Sequence, residues 1–170
     1  MTRCLKYVDD TSYGEAAKYI SGTGENEFFF ASLDTKTKEW TIYYKLNDDQ
    51  QIFNQDDFTA NSFLIVDEGA NSQATEGKLH YFVIGDTEMK EFICEEGYES
   101  TNAFISGNAK YILTTYGHSM NEAEIKLYDT STGEVLISEK MDHNVQTAYI
   151  DEESRKLYIA GRGNFIVKDF

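Results

Sequence analysis

The sequence predicts an all-β protein made of four blade-like antiparallel sheets, and three observations carry that expectation. A phrase recurs along the 170 residues: a hydrophobic run ends in Asp-Thr, turns, and returns as a second hydrophobic run. Runs such as Tyr111-Ile112-Leu113-Thr114-Thr115-Tyr116 are β-branched and aromatic and are bounded by Gly, Asn, Asp or Ser, the punctuation of strands. No window of ten or more residues holds apolar positions at the 3.6-residue spacing of a helix. The best helical candidate is a single turn near Tyr13-Gly14-Glu15-Ala16-Ala17.

Aligning the Asp-Thr phrases gives a four-strand unit, in which the strand ending in Asp-Thr is the third. The first unit reads Leu5 to Val8, Lys18 to Ser21, Phe28 to Leu33 and Trp40 to Tyr44. In the second, Gln51-Ile52-Phe53 and Phe63 to Val66 precede the runs at Leu79 and Phe92, with Asp86-Thr87 between those two. The third reads Ala103 to Ser106, Lys110 to Tyr116, Glu124 to Tyr128 and Val135 to Ser138. The fourth reads Ala148 to Ile150, Lys156 to Ala160 and Phe165 to Asp169, with no fourth strand. The triplet Lys18-Tyr19-Ile20 is echoed at Lys110-Tyr111-Ile112. Unit boundaries fall at about 1–46, 47–96, 97–141 and 142–170 of one domain. Asp34, Asp86 and Asp129 open turns, where an Asp carboxylate caps backbone N–H groups two residues on and a following Thr does so more weakly.

A repeat of this length built from four short antiparallel strands is that of a β-propeller blade. The turn Tyr128-Asp129-Thr130-Ser131-Thr132-Gly133-Glu134 resembles the turn between third and fourth strands in WD40-like and YVTN-like propellers. The resemblance covers nearly the whole chain in four passes, although Trp-Asp and the Gly-His of WD40 repeats are absent. It implies a small or half propeller, either closed as a four-bladed ring or left as an open arc. A meander of hairpins in a sandwich has similar turn spacing and is the competing architecture.

Composition bounds the function. Hydrophobic content of 41% with 14% aromatics suits a folded domain. Thirty acids against fifteen bases give a formal charge of −15, which repels nucleic acid and anionic membrane and attracts basic proteins. Two isolated cysteines, Cys4 and Cys94, a polar N-terminal stretch and no membrane-length apolar run lead to the expectation of a cytoplasmic protein. Without proline, edge strands must be protected by charge or closure.

No catalytic grouping is legible. His80, His118 and His143 lie in different units without ligand spacing, His80 in a strand and the other two in expected loops. Nucleophile-elbow, phosphate-loop and calcium-loop patterns are absent, and Gly161-Arg162-Gly163-Asn164 reads as a tight turn. The expectation is a protein that is not an enzyme and needs no metal or cofactor. Acids segregate instead to the loops joining fourth to first and second to third strands, and those loops share one rim. The residues expected to meet a partner are Asp48, Asp49, Glu95, Glu96, Tyr98, Glu99 and Asp142. A small acidic chain of this kind resembles, in style and composition, the immunity proteins of toxin–immunity pairs, including contact-dependent inhibition systems. That resemblance implies a basic partner, a toxin nuclease domain, whose phosphate-gripping site is positive. The alternative is a propeller-type interaction scaffold with no inhibitory role.

Overall fold

The computed structural model describes residues 3–47, 50–53, 60–67, 78–94, 102–119, 122–161 and 163–170. They form fifteen strands in four antiparallel sheets. The first sheet is β1 (Arg3–Val8), β2 (Thr11–Tyr19), β3 (Asn26–Asp34) and β4 (Trp40–Lys45) in spatial order. The second is β5 (Gln50–Phe53), β6 (Ser62–Asp67), β7 (Lys78–Val83) and β8 (Lys90–Ile93), again in order. The third runs β9 (Asn102–Ile105), β10 (Tyr111–Ser119), β11 (Glu122–Asp129) and β12 (Val135–Met141). The fourth has three strands, β13 (Thr147–Asp151), β14 (Lys156–Gly161) and β15 (Asn164–Asp169). Four up-and-down sheets in series make an unclosed, half-propeller arrangement.

The core lies between consecutive sheets because strand alternation gives each sheet two faces. Between the first and second, Phe30 and Leu46 meet Ile52, Phe63, Ile65 and Phe82. The Phe30 ring lies 5.0 Å from Phe63 and 5.1 Å from Phe82, and Tyr43 sits 4.4 Å from Phe82, spacings at which aromatic pairs attract beyond their buried area. Between the second and third, Leu64, Leu79 and Phe92 pack on Ile105, Ile112 and Tyr128. Between the third and fourth, Leu113, Ile125 and Leu127 pack on Ile150, Leu157 and Ile159. Among the described residues no hydrophobic cluster joins the first sheet to the fourth, so the arc is open.

One rim is tied down by a brace that recurs in every sheet. The residue that follows the third strand, or ends the link after it, donates its N–H to a carbonyl of the first-to-second turn. The four bonds are Thr35 to Asp10 at 2.8 Å, Ile84 to Asn61 at 2.8 Å, Thr130 to Lys110 at 2.9 Å and Phe170 to Arg155 at 3.1 Å. Further bonds staple neighbouring sheets at the same rim. Ser62 Oγ donates to the Ser106 carbonyl at 2.6 Å and the Asn61 N–H to Gly107 at 2.7 Å. Glu152, from the fourth sheet, accepts from Ser106 Oγ at 2.6 Å and the Asn108 N–H at 2.7 Å in the third.

Several sequence expectations change. Tyr13 to Ala17 is not a helical turn but the middle of β2, which ends where the expected strand at Lys18 was to begin. Lys18 therefore lies at the end of a strand, one residue before its close, while Lys110 immediately precedes one, and the echoed triplet is not structural repetition. His118 lies in β10 rather than in a loop. Asp34 and Asp129 cap as expected: Asp34 Oδ1 accepts from Lys36 and Thr37 at 2.8 and 2.9 Å, Asp129 Oδ1 from Ser131 and Thr132 at 2.8 and 3.2 Å. Asp86 instead accepts from the preceding Val83 N–H at 3.2 Å and pairs with Lys90 at 2.9 Å. The Thr of the phrase does more than assist the cap, since Thr35 Oγ1 donates to Asp10 O at 2.8 Å. Gly161 and Asn164 pair where β14 meets β15, with Gly163 at φ +85°, as a tight turn requires.

Candidate functional site: the loop rim

Because all four sheets run in the same sense, their fourth-to-first connections emerge at one end. The described residues that start these loops are buried: Leu46 after β4 and Cys94 after β8, while Met141 ends β12. Each loop therefore leaves the core from a fixed anchor. Of the residues expected to meet a partner, Asp142 is described. Asp48, Asp49, Glu95, Glu96, Tyr98 and Glu99 lie outside the described residues.

Asp142 follows Met141 directly, and its side chain is 90% exposed. Its Oδ1 accepts a 2.7 Å hydrogen bond from Nδ1 of His143, a ring that is itself buried. The His143 hydrogen bond holds the Asp142 carboxyl below the ordinary carboxylate value, keeping its negative charge on the surface. Two neighbouring polar atoms, His143 Nε2 and Asn144 Oδ1, are buried without a hydrogen-bond partner. The loop is pressed against β14, where a Cβ on Gly161 would stand 2.0 Å from the Asn144 carbonyl oxygen. Glycine is required there by contact, and the Gln146 N–H bond to Ala160 at 2.9 Å completes the clamp. The sequence reading placed His143 in a loop and Gly161 in a tight turn but did not bring the two together; the adjacent Asp142-His143 pair and the glycines flanking Arg162 were the available signals.

The opposite rim carries several ion pairs. Its acids and bases face one another: Asp10 with Lys36 at 2.5 Å, Asp86 with Lys90 at 2.9 Å, Asp169 with Lys156 at 2.5 Å and Glu152 with Lys110 at 3.9 Å. Pairs this exposed add little stability, but they cancel each other's field. Among the described residues, Cys94 and His80 are engaged structurally. Burial pushes the Cys94 thiol up to about 11, far from the thiolate form that reacts. His80 stacks on Tyr44 with ring centroids 4.8 Å apart and lies 3.8 Å from Glu91. Among the described residues no group of His, Cys, Asp and Glu could hold a metal ion, and no helix is long and apolar enough to cross a membrane.

No protein-family model and no curated protein matches the chain. Solved structures do. An oligogalacturonate lyase in complex with manganese is 14% identical with a TM-score of 0.57, over 90% of this chain and 44% of that one. The Dos1 propeller is 13% identical at 0.52, over 95% and 42%. TolB from Acinetobacter baumannii is 15% identical at 0.50, over 94% and 38%. The likeness is one of fold alone. It places the four sheets among propeller folds, and the chain spans less than half the length of each of these three.

Proposed function

We propose that this chain is a propeller-type protein-interaction module, without catalysis of its own, that receives a basic partner on its loop rim. The observation that carries the reading is Asp142, held exposed on the loop rim by its hydrogen bond to the buried His143. The chain carries a formal −15, and on the loop rim Asp142 stands exposed with its carboxyl kept ionised by the His143 hydrogen bond. A rim of one sign attracts a partner of the other and speeds its arrival. The burial of Cys94 and His143 and the stacking of His80 support binding over chemistry, since each already has a packing role.

A finer form of this reading has the partner as a toxin nuclease domain that the chain neutralises in the cytoplasm. Its support is charge, because a site that grips phosphate is basic. The test is capture from the source cell with the tagged chain, beside a variant carrying Asp48, Asp49, Glu95, Glu96 and Asp142 all changed to Lys. A basic protein held by the wild type and lost by the variant is the expected result. Suppression of a captured nuclease by the added chain supports the finer form, and a captured partner with no such activity leaves the scaffold form standing. An acidic partner, or capture indifferent to the substitutions, contradicts both.

A further inference from the structure

Each internal sheet of the arc buries both faces, but the first and fourth bury one each. Cross-strand register identifies what the other faces carry. On the first sheet, Tyr7, Ser12, Leu33 and Trp40 form one row across β1 to β4, and Gly14, Ala31 and Ile42 form the next. On the fourth, Tyr149, Tyr158 and Val167 form one row and Thr147, Ala160 and Phe165 another. None of these positions is charged, although the rows that border them carry Lys45 beside Phe29 on the first sheet and Asp151, Lys156 and Asp169 on the fourth. Of the ten large hydrophobic side chains exposed among the described residues, six lie on these two faces: Tyr7, Trp40, Ile42, Tyr149, Phe165 and Val167. An exposed apolar surface of this extent marks an interface.

We propose that the two end faces belong to one interface, and that two copies of this chain join head to tail into a closed ring. The first sheet of each copy packs on the fourth sheet of the other. The composition supports a second copy as the occupant. The three interfaces inside the arc are built of the same material, aromatic rings set against aliphatic side chains from the next sheet. A contact between two different faces of one chain continues until rotation closes it. Two arcs of four sheets close at eight, the upper end of the usual range of about 4–8 blades. The chain also spans 38–44% of three of the propeller-like structures it matches and 57% of another, leaving a comparable share of ring to be supplied. The proposal is independent of the partner on the loop rim, which projects from a different side of the sheets.

Sedimentation velocity on the purified chain tests it, the expected species being twice the 19.4 kDa monomer. Ile42→Lys and Val167→Asp change exposed side chains, one on each end face, and unaltered circular dichroism confirms that each variant folds. Each alone should weaken dimerisation by about a hundredfold, because a lone charge would be desolvated at the contact. Mixed together they should regain dimer, since one of the two interfaces then pairs two wild-type faces. A monomer at every accessible concentration overturns the proposal. So does a dimer broken by only one of the substitutions, which would mean that like faces pair, and so does a mixture that stays monomeric.

Discussion

Lys38 holds a left-handed backbone conformation, φ +64°, at the position where the third sheet has Gly133 at φ +74°. The two turns are otherwise the same device. Asp34 and Asp129 cap them, Thr37 and Thr132 accept the N–H of Glu39 and Glu134 at 3.4 and 3.2 Å, and Thr35 and Thr130 brace the neighbouring turn. The form Asp-Thr-x-Thr-x-Glu is thus complete in two sheets, and the glycine that seemed to define it is dispensable at a cost. A side chain in this region is strained where glycine is not, so Lys38→Gly should stabilise the protein by about 0.5–1 kcal/mol in urea unfolding. Asp129→Ala should destabilise it by about 1 kcal/mol, as losing a local cap does, while leaving partner binding intact. Unchanged stability with lost binding would mean that Asp129 is a contact residue.

At the scale of elements, Glu152 joins the third and fourth sheets. Burial alone raises its carboxyl, but donors from Ser106, Asn108 and Lys110 outweigh that and hold it below the ordinary 4.5. A depressed carboxylate contributes stability above its unfolded value, and that contribution is lost as pH falls through the folded one. Glu152→Gln should therefore cost about 1–2 kcal/mol near neutrality, the excess of a charged over a neutral acceptor, with the gap to wild type closing as pH drops below 4.5. A gap that stays constant with pH would deny the charge its role. The staple was invisible in the sequence because Glu152 and Ser106 are 46 residues apart. Strands rich in β-branched and aromatic residues, such as β10 and β14, were legible from pattern alone. β2 was not, because Gly14, Ala16 and Ala17 give weak strand propensity, and pairing with Phe28 to Ala31 overrides it.

The whole molecule is an open arc of four sheets with two rims of turns and loops. The division into repeated sheets was written in the recurring Asp-Thr phrase, and the openness of the arc was left undecided by it, since closure depends on how sheets at opposite ends of the chain meet. The charge bias of the loop rim was readable from loop composition. The paired state of the opposite rim was not, because Asp10 and Lys36, or Lys156 and Asp169, meet only once the strands are in register. If the loop rim recruits a basic partner by charge, the association rate tests it most directly. With the captured partner, the rate should fall steeply from low to physiological ionic strength, where the screening length shrinks to about 8 Å. In the five-residue charge-reversed variant the rate should be lower and the salt dependence weaker. A wild-type rate indifferent to salt would contradict the account and leave the charge as a matter of solubility.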